Sequence, residues 1–235
     1  MQHVTTTPNT FKQGVRDCLP TLLGYISIGF AFGVVGVASN LSVFEVFLLS
    51  LLVYAGSAQF IFCGLYMAGA PMSAIIITVL IVNLRHLLMS LTVAPHFTQY
   101  SALRNIGFGT LLTDETFGVA VTKLAKEKQL GGNWMDGLNV TAYVVWVAVC
   151  TLGGLLGAFL PDAERFGLDF ALVAMFAALL ILNLQVVART QLMQYVTLIG
   201  IVGLLLYGLL HIMPSHMAVL VSTLIGATIG VLREK

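Results

Sequence analysis

Charged side chains are scarce in this sequence. Lys, Arg, Asp and Glu make up 9% of the 235 residues, whereas apolar residues make up 58%. A soluble domain usually carries about a quarter charged residues, because its surface must be hydrated. The composition therefore excludes a soluble domain of this length. The net charge of +1 gives no reason to expect nucleic acid as a partner.

Cysteine is also rare, and recognisable cofactor motifs are missing. The three cysteines, Cys18, Cys63 and Cys150, are scattered at spacings that suit neither a metal site nor a disulfide framework. We interpret them as small apolar core residues. No pattern for nucleotide, haem, flavin or metalloprotease chemistry is present. We therefore expect no cofactor, no metal and no enzymatic activity.

Long apolar runs are what the sequence has instead. Each is close to the ~20 residues that a helix needs to cross a bilayer, and none alternates as a membrane β-barrel strand would. The pattern predicts an all-α, polytopic integral membrane bundle with seven or eight transmembrane helices, formed by a single domain over residues 1–235. The runs fall at 19–39, 45–68, 73–95, 106–122, 137–160, 170–188, 192–213 and 215–232.

The basic residues predict how the chain is oriented. With the N-terminus in the cytoplasm, eight spans place eight basic residues inside and two, Arg104 and Arg165, outside, while Arg85 lies within a span. This asymmetry follows the positive-inside rule. It predicts that both termini, the segment 1–18 and a loop at 123–136 are cytoplasmic in a multi-pass membrane protein. The inside residues are Lys12, Arg16, Lys123, Lys126, Lys128, Arg189, Arg233 and Lys235.

Polar side chains gather near the middle of three consecutive spans. Polar groups are expensive at this depth, so each needs a structural or functional reason. The shared depth predicts one site in the bundle. The candidates for binding substrate or a proton are Tyr54, Gly56, Ser57, Gln59, Asn83, Arg85, His86, Asp114 and Glu115.

A broken helix is predicted near Gly56. Glycine weakens a helix, and the neighbouring Ser57 can bond to backbone groups that the break releases. Discontinuous helices of this kind present backbone N–H groups to a substrate carboxylate. The alternative is close helix packing through Gly56, which small residues allow in any bundle.

Arg85 and the adjacent acids Asp114 and Glu115 have two interpretations. One is a structural ion pair between helices. The other uses the fact that neighbouring helix positions point about 100° apart, so one acid can neutralise Arg85 while the other faces a cavity. The free acid would then take up a proton or an ammonium group. Asp114, at the centre of its span, is the first candidate and Glu115 the second.

A family resemblance joins these segments. Tyr54-Ala55-Gly56-Ser57-Ala58-Gln59-Phe60, Asn83-Leu84-Arg85-His86 and Leu112-Thr113-Asp114-Glu115-Thr116-Phe117 resemble successive signatures of the AzlC family, as does the opening Arg16-Asp17-Cys18-Leu19-Pro20. These proteins are the large subunits of bacterial branched-chain amino acid exporters.

The resemblance implies a secondary transporter of the bacterial inner membrane. It would export hydrophobic amino acids such as leucine, isoleucine and valine, driven by the proton gradient, together with a small membrane subunit of the AzlD type. In such a transporter, the backbone at Gly56 and Ser57 with Arg85 would hold the substrate carboxylate, and Asp114 or Glu115 the ammonium group.

Other functions remain open from the residues alone. One alternative is a channel or a permease for a different small solute. For a channel, the rate of flux and whether it can be driven uphill would discriminate. A membrane assembly subunit without transport activity is disfavoured by the charges in its spans. An intramembrane enzyme lacks a nucleophile with its base. Contacts with lipid are expected for every span, and a higher oligomer is compatible with the sequence.

Overall fold

The fold was derived from a computed structural model, which describes residues 9–159 and 189–233 and isolated positions between 173 and 184. Within these residues every regular element is a helix, which confirms the all-helical prediction. The helices are α1 (Phe11–Ala38), α2 (Val43–Leu52), α3 (Gly56–Met67), α4 (Met72–Val93), α5 (Ala102–Thr110), α6 (Asp114–Glu127), α7 (Gly132–Gly157), α8 (Arg189–Leu209) and α9 (Ser215–Arg233), and a short 3₁₀ turn, Ala94–Phe97, follows α4.

Four of the described helical segments are long and apolar enough to cross a membrane. Apart from isolated positions, the predicted span 170–188 lies outside the described residues. The count of seven or eight spans is therefore not confirmed. The four segments are Phe11–Ala38, Met72–Phe97, Gly132–Gly157 and Gln191–Leu209.

Helices α1 and α7 form a tightly packed parallel pair. Glycines at the contact let the two backbones touch: a methyl group at Gly14 would collide with the Trp134 carbonyl oxygen, and one at Gly33 with the Cys150 carbonyl oxygen. Small residues permit such close approach between membrane helices. We call the end of the bundle at which α1 and α7 begin the proximal end, and the end at which they finish the distal end.

Helices α2 and α3 fold back on each other as a hairpin that starts and finishes at the distal end. Val46 on α2 packs against Gly36 and Gly154, near the distal ends of α1 and α7. The chain then descends to mid-depth, where the Tyr54 and Tyr143 rings lie 4.8 Å apart. Helix α3 returns past Phe32, whose ring centroid is 5.6 Å from that of Phe60. We call α2 and α3 the distal hairpin.

The turn of the distal hairpin explains why this apolar run is not one helix. Tyr54 adopts a left-handed backbone conformation with φ of 45°, and Ala55 is extended. Neither conformation continues an α-helix. Behind the turn, the Gln59 amide nitrogen donates a hydrogen bond to the Ser50 hydroxyl of α2 at 3.4 Å. The Gln59 amide oxygen accepts one from the Trp146 indole of α7 at 3.0 Å. The predicted break near Gly56 is confirmed.

Helices α5 and α6 form a second hairpin, which enters from the proximal end. At the start of α5, Arg104 lies 2.5 Å from Asp136 on the first turns of α7. The turn 111–113 reaches mid-depth, where Thr113 bonds to Tyr25 of α1. Helix α6 then returns, and the Lys123 ammonium lies 5.2 Å from the centre of the Trp134 ring at the proximal end. We call α5 and α6 the proximal hairpin.

The two hairpins correct the sequence-based map. Residues 45–68 and 106–122 were predicted as spans, but each belongs to a hairpin that turns back at mid-depth. An apolar run of about 20 residues fits one crossing or two half-length helices equally well, so its length alone cannot separate them. Arg104 and the 123–136 region, predicted on opposite sides, lie at the same end.

Two predicted segments also change in extent. The N-terminal segment 1–18 is not wholly separate from the first helix, because α1 already begins at Phe11. The loop predicted at 123–136 is much shorter, since α6 continues to Glu127 and α7 begins at Gly132. Lys128, in a left-handed conformation, ends α6.

Candidate functional site

The turns of the two hairpins meet in a cleft halfway along α1 and α7. The cleft has an empty volume of about 430 Å³ with its open mouth included, and it is narrow enough that only water-sized groups fit in this conformation. Helix α4 passes beside it as a continuous helix. The lining residues are Tyr25, Ile28, Tyr54, Ala55, Gly56, Ser57, Arg85, His86, Thr113, Asp114, Glu115 and Trp146.

Arg85 of α4 connects the two hairpins. One terminal nitrogen of its guanidinium lies 2.8 Å from the Asp114 carboxylate at the start of α6. The other donates a hydrogen bond to the Ser57 hydroxyl at the start of α3. The planar fork of an arginine side chain allows it to serve two acceptors at once. Both charged side chains are about one third exposed, at 32% and 33%, so the pair remains in contact with the cleft.

The start of α6 is capped by side chains and carries negative charge. The Thr113 side chain accepts a hydrogen bond from the Thr116 amide, and the Thr116 hydroxyl accepts one from the Thr113 amide. Two acids, Asp114 and Glu115, occupy the first turn, where their negative charge complements the positive end of the helix dipole. This helix end therefore has little capacity left to bind an anion.

The start of α3 has the opposite character. No side chain caps it, and no acid lies in its first turn. Its first hydrogen bond runs from the Gln59 amide to the Ala55 carbonyl, so the amides of Gly56, Ser57 and Ala58 have no acceptor within the helix. The start of α3 is therefore an available donor group beside the Arg85 guanidinium, and such helix ends bind anions.

Two further donors at this position are unused. The Tyr54 hydroxyl has no hydrogen-bond partner among the described residues, although Tyr54 is only 6% exposed. The Nε of Arg85 is likewise buried and without a partner in the described part of the chain. Buried polar groups are rarely left unsatisfied, so these two donors suit a ligand with acceptor atoms.

Glu115 also lines the cleft, beside Tyr25 of α1. The Tyr25 hydroxyl donates a hydrogen bond to its carboxylate at 3.2 Å and also bonds to Thr113. Among the described residues, no Lys, Arg or His lies within ion-pairing distance of Glu115, in contrast to Asp114. With Arg85 and Asp114 neutralising each other, Glu115 leaves the cleft with one surplus negative charge.

This arrangement changes the order of the two acids. From the sequence, Asp114 was the first candidate for the free acid, because it lies at the centre of the predicted span. The structure pairs Asp114 with Arg85 and leaves Glu115 facing the cleft. Asp114 is therefore the acid that neutralises Arg85, and Glu115 is the free one.

Seven of the nine predicted site residues line the cleft, and two do not. Gln59 is fully buried behind it, where it bonds to Ser50 and Trp146. Asn83 lies outside the lining, with its side-chain oxygen unpartnered among the described residues. The seven residues are Tyr54, Gly56, Ser57, Arg85, His86, Asp114 and Glu115.

Several lining residues were not predicted from the sequence. Tyr25 and Ile28 belong to a long apolar run with no local signal of a site, and only the parallel packing of α1 on α7 brings them here. Trp146 packs edge-on against Tyr25, with ring centroids 5.3 Å apart, and also forms a wall of the cleft. Thr113 is the one missed lining residue with a signal in the sequence. Its spacing from Thr116 resembles that of a helix cap, so it predicts a helix that starts at this position.

Comparison with known proteins assigns the family. The family model described as AzlC protein matches residues 20–160, which include both hairpins and every residue that lines the cleft. The chain belongs to the AzlC family. No solved structure matches it.

Several curated relatives of this AzlC chain are membrane proteins. The inner membrane protein YgaZ of Escherichia coli K12 is 31% identical over 183 residues, which cover 75% of this chain and 74% of YgaZ. An uncharacterized membrane protein of Archaeoglobus fulgidus is 35% identical over 181 residues, or 74% of this chain and 76% of the relative. The branched-chain amino acid transport protein AzlC of Bacillus subtilis is 27% identical over 175 residues, which cover 73% of this chain and 66% of that protein.

Proposed function

We propose that this chain is the large subunit of a secondary transporter that exports branched-chain and other hydrophobic amino acids from the cytoplasm, coupled to protons. The observation that carries the proposal is the mid-depth cleft in which Arg85 joins the turns of two opposed hairpins. Broken helices at mid-depth are a recurrent way of building transporter sites. A relative named as a branched-chain amino acid transport protein supports the substrate class.

The start of α3 is the proposed site of the substrate carboxylate. The amides of Gly56, Ser57 and Ala58, the Tyr54 hydroxyl and the Nε of Arg85 are donors without partners inside their helix or among the described residues. A carboxylate accepts hydrogen bonds only, so it satisfies such a set of donors without adding another unpaired donor. The acidic, capped start of α6 does not offer this.

Apolar walls complete the proposed site. Ile28 and the Trp146 indole line the cleft beside the polar groups. A hydrophobic side chain placed against them gains the favourable free energy of leaving water. The cleft is too narrow for leucine as it stands, so substrate entry requires a hairpin to move. The ion pair and the narrow cleft also argue against an open channel.

A small membrane subunit of the AzlD type is the proposed partner. The two hairpins span only half of the bundle each, so a substrate path beside them needs further protein to seal it from lipid. Backbone that turns within a membrane is tolerated only where protein or a water-filled cavity covers it. We therefore expect little transport from this chain alone.

Efflux of labelled leucine tests the proposal. Cells that express the chain with the small membrane protein encoded beside it should export leucine against its gradient, and collapse of the proton gradient should stop the export. Cells with either protein alone should show little export. Full export by the purified chain in vesicles would reject the partner, and the absence of amino acid export in every combination would reject the function.

A further inference from the structure

We infer that Glu115 is a shared site, occupied alternately by the substrate ammonium group and by the coupling proton. This inference rests on the proposed function and specifies its coupling step. It would make the chain an exchanger in which one carboxylate can hold a proton or a substrate, but not both.

The geometry distinguishes Glu115 from the other charged groups of the cleft. Arg85 and Asp114 lie 2.8 Å apart and neutralise each other, so neither needs a ligand to remain charged. Glu115 has a hydrogen bond from Tyr25 but no positive partner in the described part of the chain. A carboxylate at membrane depth without a cation is unfavourable. Binding an ammonium group or a proton removes that penalty.

Among the described residues, the titratable and charged groups that line the cleft with Glu115 are consistent with this role. Tyr25 approaches from α1, Tyr54 from the turn of the distal hairpin, Arg85 and His86 from α4, and Asp114 from the same helix. Helix α7 contributes the uncharged Trp146. With His86 neutral, the cleft carries one negative charge in total, which one proton or one ammonium group balances.

The groups that would bind the two ends of an α-amino acid line one cleft. The donors at the start of α3 and the Glu115 carboxylate both belong to its lining, and Arg85 bonds to Ser57 on α3 and pairs with Asp114, which precedes Glu115. A carboxylate at α3 directs the ammonium group of the same molecule toward Glu115. The unpartnered Tyr54 hydroxyl, buried in the same cleft, is a second indication that a ligand belongs here.

The exchange balances in atoms and charge. Protonated Glu115 loses the proton on its carboxyl oxygen to the aqueous side that is open, and the substrate enters with all three ammonium protons retained. On the opposite side the substrate leaves and a proton from that side takes its place. Each cycle moves one amino acid out and one proton in. Because the zwitterion has no net charge, each cycle also moves one positive charge inward.

Calorimetric titration with L-leucine in buffers of different ionisation enthalpy tests the inference, because the buffer dependence of the heat counts the protons released. The full chain is titrated after purification with its proposed small partner. We expect release of about one proton per leucine at acidic pH, and an affinity that weakens about tenfold for each further unit of acidification.

Two matched controls isolate Glu115. Glu115→Gln should release no protons on binding and lose the pH dependence, whereas Glu45→Gln, which removes an exposed acid at the distal start of α2, should behave as the unmodified chain. The keto acid of leucine lacks the ammonium group. It should bind both the unmodified chain and Glu115→Gln without releasing protons, which shows that the cleft of the variant is folded.

The outcomes separate this inference from the proposed function. Leucine binding and export with no proton release would overturn the shared site and leave the transporter intact. Proton release that persists in Glu115→Gln would also overturn it. Failure of the unmodified complex both to bind leucine and to export any amino acid would overturn the proposed function, and the shared site with it.

Discussion

Arg104 lies 2.5 Å from Asp136 and so joins the beginning of the proximal hairpin to the beginning of α7. The same guanidinium is bonded to Asn133 at 2.7 Å and lies 4.7 Å from the centre of the Tyr100 ring. These contacts place the segments before α5 and after α6 at one end of the bundle. A chain that crossed the membrane between them would hold them at opposite ends.

The two hairpins lead to a new prediction for sidedness. If neither crosses the membrane and the spans predicted at 170–188 and 215–232 are retained, Arg104 moves to the cytoplasmic side. Nine basic residues then lie inside and one, Arg165, outside. This asymmetry is stronger than in the eight-span map, and it follows the positive-inside rule more closely.

Cysteine labelling from each side of the membrane checks this topology. Leu103→Cys and Lys126→Cys should react from the cytoplasm, and Ala68→Cys from the opposite side. The native cysteines Cys18 and Cys63, like Cys150, are buried and should react slowly. The eight-span map predicts the reverse for positions 68 and 103. Labelling of those two positions according to that map would reject the hairpin topology.

Two glycines of α1 form a matched test of its packing on α7. Gly33→Ala should destabilise the protein by about 1–3 kcal/mol or prevent its accumulation, because the added methyl group meets the backbone of Cys150 and Gly154. Gly24→Ala should be tolerated, since no atom lies within 4 Å of the new methyl group. Thermal unfolding in detergent measures both. Equal stability of the two variants would contradict the parallel α1–α7 contact.

Two tyrosines separate substrate binding from stability. Tyr54→Phe should weaken leucine binding about tenfold, because one hydrogen bond to a charged group is lost. The stability of the protein should change little, because the Tyr54 hydroxyl has no partner among the described residues. Tyr143→Phe should lower the free energy of unfolding by about 1 kcal/mol, since its hydroxyl bonds to the Leu51 carbonyl at 2.8 Å, and leave leucine affinity unchanged. Calorimetry and thermal unfolding measure the two effects. Unchanged leucine affinity in Tyr54→Phe would remove the hydroxyl from the carboxylate site.

Some of this structure could be predicted from the sequence. Hydropathy alone was sufficient to predict a helical membrane protein. The Gly56-Ser57 pair was sufficient to predict the break in the helix, because backbone freedom and local polarity depend on neighbouring residues in the sequence. The depth of the polar groups was also readable, so seven lining residues were identified before the fold was known.

The path that the chain takes after each break could not be predicted from the sequence. Whether α3 continues across the bundle or returns beside α2 depends on contacts such as Phe60 with Phe32, which join residues far apart in the chain. The pairing of Arg85 with Asp114 rather than Glu115 likewise depends on where α6 begins, and that is set by the Thr113 cap. Tyr25 was missed because its role exists only through tertiary contacts.

The ion pair that holds the hairpin turns together can be tested with a double-mutant cycle. Arg85→Gln leaves the Asp114 carboxylate without a positive partner at mid-depth, and the expected loss of stability is about 1–3 kcal/mol. The double variant Arg85→Gln with Asp114→Asn removes both charges, so most of that stability should return. Leucine export should remain lost, because the arginine is also a donor at the start of α3.

The single variant Asp114→Asn completes the cycle. Arg85→Lys is a separate test, since it retains the charge without the fork. An ammonium group on a lysine can neutralise Asp114 but is poorly placed to bond to Ser57 as well. We therefore expect near-normal thermal stability together with strongly reduced leucine export. Thermal unfolding and efflux, measured on the same preparations, distinguish the two functions of Arg85. Full export by Arg85→Lys would show that the positive charge alone suffices for export. A double variant no more stable than Arg85→Gln would show that the ion pair does not stabilise the fold.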